Sequence, residues 1–323
     1  MALLVGIDEA GYGPLLGPLV VSASAFSLPD HHLNADLWAL LSTAVGRDKR
    51  RLAGRLLITD SKKAYHRSAG PAVLQRTVLA MLAVMDGSPT LPQNGLQLIE
   101  RLSPETAPRL GQYPWYADLD RHPLFGDPED ISLAAKVLRR GLAAHDMRYM
   151  GTWCRVLDVA SFNHRVEVVR NKASVLFTEV CTLIQQAFDA LPAGETLQVI
   201  ADRQGGRVNY RKVLACMFPR LELRILKEHP LGSSYELTGT GRSMRLHFAV
   251  KADFRFLPVA LASMTGKALR EVLVEAINRY FMRHCEGVVP TAGYWQDGQR
   301  FIRDLEAHPG RVPYDPDHLI RKR

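Results

Sequence analysis

The sequence predicts an α/β fold, in which short buried strands are combined with amphipathic helices in one chain of 323 residues. Two apolar runs, residues 2–7 and 19–26, lie on either side of a segment rich in glycine and proline. This arrangement is typical of two strands joined at one end of a buried sheet. Two further strand-like runs and two helices with apolar side chains on one face follow: residues 149–157, 197–202, 71–85 and 172–191.

Composition favours an ordinary globular protein with a polyanionic partner. Hydrophobic residues make up 47% of the chain and charged residues 23%, and the net charge is +8. An excess of positive charge suits nucleic acid, although many basic proteins bind none. No apolar run approaches the roughly 20 residues of a membrane span. Strand-forming sequence begins at Ala2, which leaves no room for a signal peptide.

The four cysteines indicate a reducing compartment. Cys154, Cys181, Cys216 and Cys285 are scattered and form no Cys-x-x-Cys pair. Neither a zinc ribbon nor a disulfide framework is therefore indicated. We expect a cytoplasmic protein.

Two adjacent carboxylates, Asp8 and Glu9, directly follow the first strand-like run. Buried carboxylates are costly unless they are paired or bound to a cation. Ideal strand alternation would point the two side chains to opposite faces, so the chain must leave strand geometry at Glu9 if both serve one site. The following Gly11 and Gly13 would allow that. The alternative is a strand that ends in a solvated acidic turn.

Two more acids occupy similar positions. Asp202 ends the run 197–202, and Asp253 follows residues 244–250, the second arm of a predicted hairpin with its turn at residues 239–242. Any one of these carboxylates could be a solvated strand end. Together they provide the hard oxygen ligands that Mg²⁺ prefers. Histidines at metal-ligand spacing, a Gly-x-Ser-x-Gly elbow and a P-loop are absent from the sequence.

Two other segments have both a structural and a functional interpretation. Asp60-Ser61-Lys62 follows a short apolar run and fits the start of a helix, and the family resemblance described below implies in addition a contact with the nucleic-acid backbone. Residues 86–146 are rich in proline and aromatic residues, and only residues 131–142 show helical spacing. We interpret this region as an insertion. Its aromatic side chains are expected to cover the core rather than to stack on a substrate.

The order of these pieces resembles the ribonuclease HII family. Its members open with an apolar strand, Asp-Glu-Ala-Gly-Arg-Gly, a Gly-Pro and a second strand, and carry later an Asp-Ser-Lys, a third acid at a strand end, a Lys-Gly-Asp and a Lys-Gly-Tyr. The resemblance implies a ribonuclease H-like mixed sheet flanked by helices, in one catalytic domain over residues 1–323 with the insertion at 86–146. It also implies catalytic, metal-binding carboxylates at Asp8, Glu9, Asp202 and Asp253, with Mg²⁺ or Mn²⁺ as cofactor.

The function implied is hydrolysis of the RNA strand of RNA–DNA hybrids by a monomer. Two alternatives stay open: action on another structured nucleic acid, or nucleic-acid binding without catalysis. The resemblance assigns substrate contacts to Gly11, Tyr12, Gly13, Ser61, Lys62, Asn163 and Tyr294. The chain departs from the family at Tyr12, where arginine is usual, and at Ala252, where the family has glycine. The first departure puts the preference for single embedded ribonucleotides in question.

Overall fold

The computed structural model describes residues 1–65, 70–86, 91–192, 194–239, 241–310 and 312–322. The apolar runs form strands where the sequence predicts them, because alternate side chains enter cores on the two faces of a sheet. The strands are β1 (Ala2–Ala10), β2 (Leu19–Leu28), β3 (Val45–Gly46), β4 (Leu56–Leu57), β5 (Arg148–Leu157), β6 (Thr196–Asp202), β7 (Glu222–Lys227), β8 (Gly232–Gly239) and β9 (Arg242–Ala249).

Seven of these strands form one mixed sheet in the order β5-β2-β1-β6-β9-β8-β7. Strand β1 is antiparallel to β2 and parallel to β6, and β6 is in turn parallel to β9. The predicted hairpin is formed by β8 and β9, and Thr240 of its turn lies outside the described residues. The carboxyl ends of β1, β6 and β9 therefore meet at one edge of the sheet. The short strands β3 and β4 pair separately.

Helices flank the sheet, which confirms the predicted α/β class. They are α1 (Leu37–Leu40), α2 (Ser61–Ala64), α3 (Ala72–Asp86), α4 (Gly95–Leu102), α5 (Ala107–Leu110), α6 (Pro128–Ala143), α7 (Val159–Val169), α8 (Lys172–Asp189), α9 (Arg211–Met217), α10 (Ala252–Arg255), α11 (Leu257–His284), α12 (Trp295–Ala307) and α13 (Pro316–Leu319). Short 3₁₀ turns occur at Asp30–His32, Lys49–Arg51, Pro114–Tyr116 and Leu119–Arg121.

The sheet separates two layers of core. On one face, Leu3, Val5 and Ile7 of β1 pack with the apolar side of α8. On the other face, Leu4 packs with the first turns of α11. A Cβ atom on Gly6 would lie 2.2 Å from the carbonyl carbon of Pro258, so only glycine allows this helix to approach β1 so closely. The close packing fixes the start of α11 beside the acidic end of β1.

The region 91–146 contains more helix than predicted. Besides α6, which the sequence predicted, α4 and α5 form within it, and the prolines mark their ends rather than exclude them. Tyr113, Trp115 and Tyr116 are buried against α11, as expected for aromatic side chains that cover the core. Phe125 is instead exposed. Residues 87–90 of the predicted insertion lie outside the described residues, and its status as an insertion stays a prediction.

No helix in the described part of the chain combines the length and apolarity needed to cross a membrane.

Candidate active site

The four predicted carboxylates lie at the same edge of the sheet. Asp8 and Glu9 are near the end of β1, Asp202 is the last residue of β6, and Asp253 lies in α10 directly after β9. Burial raises the pKa of Asp8 well above its usual range, and the charges of Glu9, Asp202 and Asp253 raise it further. Mutual repulsion of this kind requires carboxylates that are close together. The structure therefore brings residues from two strands, and from the helix that follows a third, into one acidic cluster.

The backbone reaches this arrangement differently from the prediction. The expectation that the chain leaves strand geometry at Glu9 is wrong, because β1 continues to Ala10 and pairs Glu9 with Val21 of β2. Pairing between β1 and β6 ends at Ile7. Beyond Ile7, one side of β1 has no neighbouring strand, so Asp8 and Glu9 both border the same open edge. The turn out of the strand comes at Gly11, whose φ is +87°.

The other acids show the same electrostatic pattern. Burial raises the pKa of Glu9 to about 7, with a further contribution from the charge of Asp202. Burial also raises the pKa of Asp202, although Asp202 Oδ1 accepts a 2.7 Å hydrogen bond from the Ala252 amide. The pKa of Asp253 is raised by burial and then by the charges of Asp60 and Asp202. Within the described residues, none of the four carboxylates forms an ion pair.

Divalent cations fit this donor set when substrate supplies the remaining ligands. Among the described residues, no group of three or more His, Cys, Asp or Glu side chains is arranged to hold a metal ion alone. Mg²⁺ does not need such a cage, because it is commonly held by one or two carboxylates together with water and substrate phosphates. Clustered carboxylates without a cationic partner are the oxygen ligands such ions prefer. The metal-binding role of these residues stays a prediction.

Ser61 and Lys62 approach the cluster from a different element. Asp60 caps α2 by accepting a 2.9 Å hydrogen bond from the Lys62 amide, so the structural interpretation of this segment is correct. Lys62 also lowers the pKa of Glu9, Asp202 and Asp253, which places its ammonium group near the acids. The Ser61 hydroxyl is buried and accepts a 3.0 Å hydrogen bond from Ser263. The structural and functional interpretations are therefore compatible.

Ser263 is a site residue that sequence reasoning missed. It lies in α11, close enough to Asp8 for its side chain to offset part of the rise in the pKa of that carboxyl group. The same hydroxyl donates to Ser61, so one serine links the acidic end of β1 with α2. A serine within a run of small helical residues gives no sequence signal for this role.

The glycine-rich turn at residues 11–13 is in contact with two buried arginines, Arg270 and Arg321. A Cβ atom on Gly11 would lie 2.5 Å from Nε of Arg270, so the turn needs glycine both for its φ and for this contact. The carbonyl oxygens of Gly11 and Tyr12 accept hydrogen bonds from the Arg321 guanidinium. The Tyr12 ring is partly buried, and burial and the charge of Glu9 raise its pKa. Gly13 has open space around it.

Arg270 is almost completely buried, with 1% of its surface exposed. Its Nη2 donates to the carbonyl oxygens of Leu16, at 3.1 Å, and of Ala292, at 3.4 Å. Its Nη1 lies 3.6 Å from the Glu271 carboxylate. Arg270 therefore joins the glycine-rich turn to the segment that carries Tyr294.

Tyr294 and Asn163, the remaining predicted substrate contacts, have contrasting surroundings. Tyr294 is 51% exposed and lines a groove of about 610 Å³ together with Lys62, Tyr65 and Lys267. Asn163 is buried, and its side chain donates to the carbonyls of Asp317 and Ile320 and accepts from the Lys322 amide. These contacts account for Asn163 as an anchor of residues 315–322, and its contact with substrate stays a prediction that they do not support.

A second cavity lies away from this chemistry. It has a volume of about 660 Å³ and is lined by residues of β6, β8 and β9, including His247, Ser234 and Gln198. His247 bonds to Ser234 through Nδ1 at 2.8 Å and to Gln198 through Nε2 at 3.2 Å. None of the four carboxylates lines it. We interpret these contacts as a cross-strand polar ladder on the sheet.

Comparison with known proteins gives only distant similarity. No protein-family model and no curated protein matches the sequence. A chain of the PCNA:RNase HII complex from Archaeoglobus fulgidus aligns with 17% identity and a TM-score of 0.44, over 99% of this chain and 94% of that chain. Aquifex aeolicus RNase H3 aligns with 12% identity and a TM-score of 0.42, over 98% of this chain and 71% of that chain. Bst-RNase HIII in complex with Mn²⁺ aligns with 15% identity and a TM-score of 0.47, over 99% of this chain and 66% of that chain.

Proposed function

We propose that this chain is a metal-dependent endonuclease that hydrolyses the RNA strand of RNA–DNA hybrids. The observation that carries the proposal is the acidic cluster of Asp8, Glu9, Asp202 and Asp253, whose members raise one another's pKa and have no ion-pair partner among the described residues. A protein gains nothing in stability from keeping four such carboxylates together. Such a cluster is accounted for by a function that requires bound cations.

The chemistry of phosphodiester hydrolysis matches what this edge can provide. Bound Mg²⁺ or Mn²⁺, held by the four carboxylates, would activate a water nucleophile and stabilise charge on the phosphoryl oxygens. Lys62 adds a positive charge beside the acids, where a phosphate approaches. Ser263 lies beside the Asp8 carboxyl group and lowers its pKa. The Ala252 amide orients Asp202 by donating a hydrogen bond to its carboxylate.

A nucleic-acid substrate is favoured by the groove beside the cluster. Its lining combines the aromatic rings of Tyr65 and Tyr294 with the cations of Lys62, Lys267 and Arg279, and it also contains Glu275 and Glu271, the latter paired with Lys267. Aromatic rings stack on bases or sugars and cations follow the phosphate backbone, so this combination suits a nucleic-acid strand. Discrimination of RNA from DNA must act through the 2′-hydroxyl. The backbone at residues 11–13, which resembles the ribonuclease HII turn, is the group we assign to that contact.

The proposal is tested by comparing three substrates: a continuous RNA–DNA hybrid, a duplex with one embedded ribonucleotide, and a plain DNA duplex. Each is incubated with purified protein and Mg²⁺ or Mn²⁺, and Asp202→Asn protein prepared in parallel excludes contaminating nuclease. We expect cleavage of the RNA strand by the wild type alone. Equal cleavage of the DNA duplex would assign the site to another nucleic acid. Tight binding of all three substrates without cleavage would replace the enzyme with a binding protein.

A further inference from the structure

Residues 315–322 fold back against the glycine-rich turn of the candidate site. The Arg321 amide donates to the Leu15 carbonyl at 2.9 Å, and Ile320 forms a bridge with Leu16. Asn163 holds the same segment through its side-chain hydrogen bonds. These contacts bring Arg321 and Lys322 from far along the chain to the acidic edge of the sheet.

Arg321 carries an uncompensated positive charge at this junction. Its surface is only 4% exposed, and its guanidinium lies 3.9 Å from the centre of the Phe162 ring. No carboxylate of the described residues pairs with it, and its Nε is buried without a hydrogen-bond partner. Burial and the nearby charge of Arg270 lower the pKa of Arg321 to about 9, so it is still protonated at neutral pH. A buried cation that meets only neutral acceptors favours an anionic ligand.

A pocket opens beside this guanidinium. Its volume is about 180 Å³, and its lining combines three cations with aromatic and apolar side chains: Tyr12, Gly13, Pro14, Leu15, Phe162, Lys172, Trp295, Arg321 and Lys322. No acidic side chain is among the described residues that line it. Lys322 is paired with Glu167 and Asp317, whereas exposed Lys172 lies 5.2 Å from the centre of the Tyr12 ring and has no acidic partner in the described chain. The net charge of the lining is therefore positive.

We propose that this pocket binds a backbone phosphate of the nucleic-acid substrate. The proposal deepens the proposed function and rests on it. Arg321 and Lys172 provide the positive charge, and the Tyr12 and Trp295 rings provide flat walls for the adjoining sugar or base. Tyr12 also feels the charge of Glu9, so the pocket lies next to the acidic cluster. A phosphate held here would fix the register of the strand relative to the carboxylates.

Lys172 offers the cleanest test because Arg321→Ala also removes support from the turn. Lys172 is exposed, and Lys172→Gln keeps its length while removing its charge. The matched control is Lys136→Gln, an exposed lysine of α6 that lines none of the cavities described here. Affinity for a hybrid is measured by fluorescence anisotropy at several salt concentrations with a chelator present, so that no cleavage occurs.

We expect Lys172→Gln to bind the hybrid a few-fold more weakly. The plot of the logarithm of the association constant against the logarithm of the salt concentration should become less steep, with a slope smaller in magnitude by about 1. Lys136→Gln should keep the wild-type affinity and slope. An unchanged slope for Lys172→Gln would overturn the assignment. A second outcome would also overturn it: inorganic phosphate stabilises the wild type but not Lys172→Gln, while both proteins bind the hybrid with equal affinity. The pocket would then bind the free anion and not the nucleic-acid backbone. If the hybrid binds as expected but is never cleaved, the proposed hydrolysis fails and the phosphate pocket stands.

Discussion

Two clusters of like charge lie on either side of the glycine-rich turn, and the protein treats them differently. The carboxylates of Asp8, Glu9, Asp202 and Asp253 form no ion pair in the described chain, and their pKa values are raised. Arg270 and Arg321 are buried more deeply, yet both donate hydrogen bonds to main-chain carbonyls. The arginines therefore support the backbone of the turn, although the Nε atom of each is buried without a hydrogen-bond partner, whereas the acids form no ion pair among the described residues. The comparison separates charged groups that also support the fold from charged groups that we expect to serve chemistry alone.

The largest effect is expected on the acidic side. Asp202→Asn keeps an oxygen that accepts the Ala252 amide but removes one charge from the cluster. We expect hybrid cleavage to fall on the order of 10²–10³-fold or more, because the variant loses electrostatic stabilisation of the reaction. Thermal stability without metal should stay equal or rise, since repulsion decreases. Cleavage assays and thermal unfolding in chelator measure the two effects.

The matched control is Asp120→Asn, an exposed aspartate of the region 91–146. It should leave both quantities unchanged. Full activity of Asp202→Asn would remove this residue from the active site.

The opposite response is expected for Arg321. Arg321→Ala leaves the Gly11 and Tyr12 carbonyls without their donor, and we expect unfolding free energy to fall by about 2–3 kcal/mol. Arg321→Lys keeps the charge but loses the forked geometry and should be intermediate. Urea unfolding measures the change, with the exposed Arg303→Ala as the control. If Arg321→Ala were as stable as the wild type, the support that we assign to Arg321 in the turn would be wrong.

The buried side chain of His122 provides a third test, because its basic ring has no hydrogen-bond partner. His122 is 1% exposed and its ring nitrogens have no hydrogen-bond partners, so burial lowers its pKa to about 4. The unfolded chain therefore binds a proton between about pH 6.5 and 4 that the folded protein does not, and stability is lost as pH falls through this window. The loss is at most about 3 kcal/mol, and the Glu275 carboxylate, 3.7 Å away, would reduce it.

Urea unfolding across this pH range should therefore show a flatter curve for His122→Leu than for the wild type. The exposed His164→Leu should follow the wild type. Identical curves for His122→Leu and the wild type would show that His122 is charged in the folded protein.

The same two clusters show what could be predicted from the sequence. Local patterns placed the acids at the ends of apolar strands, with Asp8 and Glu9 on the same strand, and the family resemblance grouped them into one site, whose catalytic role stays a prediction. The predicted course of the backbone at Glu9 was wrong. Arg270 lies within a long helix, where a cation at helical spacing is usually solvated. Arg321 meets Gly11 across 310 positions, and no local pattern carries such a contact. The helices α4 and α5 were missed because nearby prolines favoured loops, although the core beneath them stabilises short helices.

Ala252 is one of the two positions where the chain departs from the family pattern, and the structure shows the backbone conformation there. The ribonuclease HII family, which the sequence resembles, has glycine at this position before the acid. The left-handed conformation falls one residue earlier, at Lys251, whose φ is +53°. Ala252 itself is helical, buried and hydrogen-bonded to Asp202. Alanine is therefore compatible with the site, and any strain belongs to Lys251.

The smallest effect is expected at Tyr12, which lies between the two clusters. An arginine guanidinium at this position would add a contact with a phosphate. A duplex with one ribonucleotide can be cleaved in only one binding position and depends strongly on each contact, whereas a continuous hybrid can bind productively in many positions. We therefore expect the wild type to be less active on the single ribonucleotide, and Tyr12→Arg to narrow the gap. Arg321 and Lys172 already supply positive charge beside this position. The gain in transition-state stabilisation on the single ribonucleotide should consequently stay below about 1.5 kcal/mol, the weak end for a charge-assisted hydrogen bond.

The ratio of kcat/KM on the two substrates measures this gain, with Tyr12→Phe as the control for the lost hydroxyl. A wild type that prefers the single ribonucleotide, or a Tyr12→Arg variant that loses activity on both substrates, would show that the tyrosine ring itself positions the strand.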